Sequence, residues 1–172
     1  MKYHVTVAVI AAVSSAGAIA GPLDPCSLLS DTDRIELGVP ADLLPSHEDQ
    51  PGGVQACRYQ PPEGPTATGT VSIILSSAAP DRVLQFRALL AKALGENTPA
   101  QLEARGEYYS GDVMCKVVLA AQRETTQCLG ATGKSLVALA LSRPDAEGKV
   151  AYPAAQLRLA ATLVSRVAAR GG

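Results

Sequence analysis

The residues best suited to chemistry are few. They are four cysteines (Cys26, Cys57, Cys115 and Cys128), one histidine beyond the first twenty residues (His47), and two loose groups of carboxylates. His47 lies in SHEDQPGG beside Glu48 and Asp49. A Ser-His-Asp relay would have to run through it, but no G-x-S-x-G elbow accompanies it. The polar, proline- and glycine-rich surroundings read as a solvated loop, in which His47, Glu48 and Asp49 would point apart rather than share a metal. Glu103, Glu107 and Asp112 fall in a polar connector, while Asp31, Asp33 and Glu36 open a helix, where acids oppose the positive end of its dipole. Acid/base hydrolysis by two carboxylates needs a fixed separation in space, which neither group shows by spacing alone. Gly133-Lys134-Ser135 resembles the end of a phosphate loop, yet the glycine required at position 128 is Cys128, and the strand-like LVALAL follows where a helix should. No catalytic residue, cofactor or metal ligand is assigned, and the chain reads as a non-enzyme.

The cysteines belong to another kind of chemistry. Residues 1–20 pair Lys2 with an apolar run and end on Ala18-x-Ala20, the pattern of a secretory signal peptide cleaved after Ala20. The apolar stretch is short for a bilayer span and includes Ser14, Ser15 and Gly17. The expectation is a single domain over 21–172, periplasmic or secreted, with no stable membrane anchor once the signal is removed. Cys26 follows Leu23, Asp24 and Pro25 rather than the small residues that lipid attachment requires. An even number of cysteines in an oxidising compartment reads as two disulfides. Zinc is disfavoured, since no C-x-x-C pair occurs. Net charge is −1, with no basic block, and aromatics are 3% of the chain. Nucleic acid and electrostatic membrane binding are therefore excluded as readings, and the core must be aliphatic.

The elements that position these residues can be placed by periodicity. Asp24 caps a turn beginning at Pro25; Ser30 with Asp33 resembles a capping box, and Gly38 stops the short helix. Residues 39–53 read as a loop with room for one helical turn at Ala41 to Leu44, 54–60 as a strand, and PPEGP as its break. Residues 68–76 form a firmer strand, and 80–95 a helix with Val83, Phe86, Leu90 and Leu94 along one stripe. After a polar connector that has room for a short helical turn, strands are predicted over 113–119, 125–131 and 136–141, and a long helix over 152–169. That last helix turns Leu157, Ala160, Ala161, Val164, Val167 and Ala168 inward, with Arg158, Ser165 and Arg166 outward. The fold class is α+β: a curved antiparallel sheet of about five strands with two long helices on one face.

An internal echo runs through this order. A cysteine strand, Ala-Thr-Gly, an apolar strand, Pro-Asp and a helix occur after Cys57 and again after Cys128, which would give two β-β-α halves. A hairpin centred between Ala121 and Gln122 sets Cys115 opposite Cys128, close enough to bridge, and leaves Cys26 for Cys57. Tyr59, Tyr108 and Tyr109 are the aromatics available to a ligand or partner, against the alternative that they pack across strands at a sheet edge.

With Asp24-Pro25-Cys26-Ser27-Leu28-Leu29, a capped helix ending at Gly38 and Cys57-Arg58-Tyr59 in view, the chain resembles small exported bacterial proteins of unknown function. Many of these are lipoproteins that open with Asp-Pro-Cys-x-Leu-Leu and continue to a Cys-x-aromatic strand. The resemblance implies a Cys26–Cys57 bridge and an α+β fold over nearly the whole mature chain; it supplies no activity. The function expected is binding of an envelope protein partner or a small ligand. The competing readings are an envelope hydrolase using His47 or a carboxylate pair, and a structural module of an envelope assembly.

Overall fold

A computed structural model describes residues 23–60, 69–120, 123–144 and 153–171. The signal peptide expected at 1–20, the break PPEGP and the turn at Ala121 and Gln122 lie outside the described residues. The chain opens with a 3-10 turn, Pro25–Leu28, in which the Asp24 carboxylate accepts from the Cys26 amide. Helix α1, Asp31–Glu36, carries the reciprocal Ser30/Asp33 capping box, and Gly38 ends it at φ 71°. Seven antiparallel strands follow among the described residues: β1 (Ser46–Gln50), β2 (Val54–Tyr59), β3 (Thr70–Ser77), β4 (Glu107–Ser110), β5 (Val113–Ala120), β6 (Arg123–Ala131) and β7 (Ser135–Pro144). They form one sheet in the order β1-β2-β3-β7-β6-β5-β4. Helices α2 (Pro80–Glu96) and α3 (Pro99–Glu103) carry the chain from β3 to the far edge, and α4 (Ala154–Ala169) closes it.

The α+β class stands, with two strands more than the five expected. β1 occupies part of the supposed 39–53 loop. Its residues SHEDQ are exposed or half-buried at the sheet edge, so no alternation of apolar and polar residues marks them. β4, only four residues long, hides in the polar connector beside the short helical turn α3.

The two long helices cover opposite faces, not one. On the first face a register row crosses every strand: His47, Cys57, Ile73, Leu139, Cys128, Cys115, Tyr108. There Leu157, Leu159, Ala160, Leu163 and Val167 of α4 and Leu28 and Leu29 of the opening segment complete the main core. On the second face Val83, Phe86 and Leu90 of α2 pack with Ala131 against Leu129, Leu136, Met114 and Tyr109. Leu94, expected on the buried stripe, is 48% exposed. In α4, Leu159 and Leu163 are buried where the inward set did not include them, Ala168 is exposed, and Arg166 turns toward the opening segment.

The two β-β-α half-repeats expected from the internal echo are not what forms. Cys57 and Cys128 lie symmetrically about the central β3-β7 pair, in the row Cys57-Ile73-Leu139-Cys128. Each half is a three-strand meander, β1-β2-β3 and β5-β6-β7, rather than a β-β-α unit. A two-fold axis through the β3-β7 pair would keep both helices on one face, and they lie on opposite ones.

Candidate binding face and the cysteine clasp

Both disulfides form, Cys26–Cys57 and Cys115–Cys128. Cys115 and Cys128 are directly opposite in the β5-β6 ladder, as the hairpin centre requires. Cys26–Cys57 pins the opening turn to β2. Three arginines reinforce that clasp from α4 and its C-cap: Arg166 donates to the Leu28 carbonyl at 2.6 Å and to the Asp33 carboxylate, the C-cap Arg170 donates to the Ser27 hydroxyl, and Arg158 pairs with Glu36. Burial alone would raise the Asp33 carboxyl, but donation from Arg166 and Ser30 outweighs it and holds the group below its ordinary value. Arg34 adds a further tie, donating to the carbonyls of Pro40, Ala41 and Leu43 and lying 5.2 Å from the Tyr59 ring centroid.

The tyrosines separate by face. Tyr59 and Tyr108 are buried in the main core, 3% and 7% exposed, and burial pushes the Tyr59 hydroxyl up. Tyr109 alone of the three points to the second face, half-buried beside α2; burial first, and then the Glu107 carboxylate, raise its hydroxyl.

His47 belongs to a strand, not a loop. Strand alternation sends Glu48 to the second face, where it pairs with Arg58, and leaves His47 and Asp49 on the first. Each imidazole nitrogen meets a carboxylate at 3.2 Å: Nδ1 faces Asp24 and Nε2 faces Asp49. Asp49 is the larger of the two influences that hold His47 above its ordinary pKa, with Asp24 second. Both nitrogens are thereby engaged by acids, and a nucleophile relay needs one of them turned to a hydroxyl or thiol. The carboxylates singled out by sequence are likewise tied to cations. Glu107 contacts Arg105 and Lys116, Asp112 contacts Arg87, and Asp31 contacts Arg34. Glu103 is exposed on α3. Gly133 and Lys134 form the β6-β7 turn, closed by Thr132, whose hydroxyl accepts from the amides of Lys134 and Ser135.

What sequence reasoning missed is the second face of the sheet. Along β3, β7, β6 and β5 the first-face residues other than Leu119 and those at the strand ends are buried, while their neighbours Ser72, Ile74, Ala138, Ala140, Thr125 and Lys116 are only half-buried. Helix α2 covers one end of this face, over Leu136, Leu129, Met114 and Tyr109. Beyond it lie small side chains, Ala138, Ala140 and Ser72, around Ile74, bordered by the Arg58–Glu48 and Lys116–Glu107 pairs. Among the six exposed large apolar residues described, Leu84, Leu89 and Leu94 of α2 and Val118 of β5 stand on this side of the molecule. The signal was present in β7, whose SLVALALS is apolar at both alternating sets where a one-faced strand would show polar residues. A shallow groove of about 510 Å³ runs on the other side, along α4 between Leu157, Arg158, Thr162, Ser165 and Ser110. No helix among the described residues is long and apolar enough to cross a membrane.

No protein-family model matches the chain, and neither a curated protein nor a solved structure matches it.

Proposed function

We propose that this is an exported, non-enzymatic protein whose second sheet face docks another protein of the cell envelope. The observation that carries the reading is, among the described residues, the half-buried apolar strip Ile74, Ala138 and Ala140 beside α2, with Leu84, Leu89 and Val118 exposed around it. An apolar strip lying across a sheet with charged pairs at its border matches the anatomy of a protein interface better than that of a small-ligand cavity, which is concave and encloses its ligand. Two disulfides accord with an oxidising compartment. The signal-peptide pattern supports export.

Site-specific photo-crosslinking tests the reading. A photoreactive residue at Ala140 or Val118, in cells producing the protein, is expected to give the same discrete protein adduct from both positions and none from Ala41 on the opposite side. Adducts equally abundant at Ala41, or absent at both test positions, would overturn it.

A further inference from the structure

One sulfur of the Cys26–Cys57 bridge, that of Cys26, belongs to a set of side chains able to hold a metal that sequence spacing conceals. The ligand atoms of Asp24, Cys26 and His47 all lie within 4.8 Å of one another, and the Cys26 sulfur is bonded to that of Cys57. Three separate pieces of chain deliver them: the opening turn brings Asp24 and Cys26, β1 brings His47, and β2 brings Cys57 directly opposite His47 in the ladder. The Cys26 amide fixes the Asp24 carboxylate at 2.9 Å. A second observation points the histidine at this set. Its Nε2 faces the Asp49 carboxylate while its Nδ1 faces Asp24 within the same set, so a cation replacing the proton between Nδ1 and Asp24 meets a nitrogen already aimed at it. A carboxylate behind the outer nitrogen of a histidine is the arrangement that orients metal-bound imidazoles and fixes their tautomer. His47 and Asp24 are 38% and 54% exposed at their side chains, which gives an ion a route in.

We propose that the clasp is a redox-gated site for zinc or a similarly borderline-soft divalent cation. A dithiol reductant attacks the sulfur of Cys26, the half-buried partner of the fully buried Cys57. The Cys26–Cys57 bond breaks, two electrons and two protons pass to the pair, and the reductant leaves as its own disulfide. The two sulfurs, as thiolates after losing those protons to solvent, then join His47 Nδ1 and the Asp24 carboxylate as four ligands. Asp49 is the positioning residue behind His47. Two thiolates, an imidazole and a carboxylate suit tetrahedral zinc and disfavour magnesium or calcium, which take all-oxygen sets. The ion bridges the same segments as the disulfide, so the opening turn stays fastened to β2 in either state.

Cobalt(II) titration of the purified chain, oxidised and after phosphine reduction and anaerobic desalting, tests this directly. The reduced chain is expected to bind one cobalt with tetrahedral and thiolate charge-transfer absorption, displaced by zinc; the oxidised chain shows neither band. Asp49→Asn weakens binding by roughly 10- to 100-fold while the thiolate bands remain. His47→Ala and Asp24→Asn weaken it and alter the tetrahedral bands. The double variant Cys115→Ala/Cys128→Ala keeps the spectrum and Cys26→Ala/Cys57→Ala loses it. Equal binding by the oxidised chain, thiolate bands surviving in Cys26→Ala/Cys57→Ala, or unchanged affinity in both His47→Ala and Asp49→Asn would overturn the proposal. So would a reduced chain whose circular dichroism shows unfolding that the metal does not reverse.

Discussion

Asp33 shows how much one side chain can fasten. It closes the α1 capping box and accepts from Arg166, reaching from the last helix to the first. Arg166→Ala leaves a mostly buried carboxylate short of its donor, a loss of about 1–3 kcal/mol in denaturant unfolding. The pH dependence follows from the depressed folded value of Asp33. Its contribution is complete above the unfolded carboxylate value of about 3.9 and disappears as pH falls through the lower folded value. The stability gap between the parent chain and Asp33→Asn is therefore expected to hold at neutral pH and close below about pH 4, measured by unfolding across a pH series. Gly130 is a second such point. A Cβ there would collide with the Val164 side chain of α4 and crowd Val113, so Gly130→Ala should cost about 1–3 kcal/mol through overpacking. The capping box was legible because its grammar spans four consecutive residues. The Arg166 contact was not, because it joins positions 133 residues apart, and Arg166 reads from sequence as an outward residue of an amphipathic helix.

At the scale of elements, α4 and α2 differ in what they bury. Leu163 is fully buried at the centre of the main core, and Leu163→Ala is expected to cost about 2–5 kcal/mol. Leu84 is 63% exposed, and Leu84→Ala should fall within about 0.5 kcal/mol of the parent, while weakening any adduct captured at Val118. Thermal and denaturant unfolding of the two variants separates these roles. The five apolar strands and both long helices were readable from periodicity, since each presents a buried face of sufficient length. β1 and β4 were not: the five polar residues of the exposed edge strand β1 carry no apolar alternation, and β4, though both its tyrosines pack inward, is only four residues long, too short to show a period. The reading of 39–53 as a loop failed for that reason, although Gly52 and Gly53, at φ 86° and 74°, were the correct turn signal for the β1-β2 hairpin.

At the scale of the molecule, the two disulfides act on different loops. Cys26–Cys57 closes a separation of 31 residues and Cys115–Cys128 one of 13. In the chain-entropy model their removal costs about 4 and about 3 kcal/mol. Differential scanning calorimetry of Cys26→Ala/Cys57→Ala and Cys115→Ala/Cys128→Ala is expected to rank them in that order. The first also frees the segment that carries Asp24, so its amides around Cys26 should lose hydrogen-exchange protection while β5 and β6 keep theirs.

Local and periodic features are legible along the chain: the capped opening, the main strands and helices, the α+β class, and the pairing of Cys115 with Cys128 through a hairpin whose centre is countable from the spacing. Only the tertiary structure decided which face each helix covers. A β-strand apolar on both sides is compatible with cover from either direction, and the Pro-Asp-helix signal that follows β3 does not encode a side. Only the tertiary structure, too, joined Asp24, Cys26, His47 and Asp49. Their convergence depends on β1 being a strand, which puts His47 opposite Cys57 and turns His47 and Asp49 to one side. That pairing arises from backbone hydrogen bonds between an exposed edge and its neighbour, an interaction that leaves almost no mark on side-chain composition.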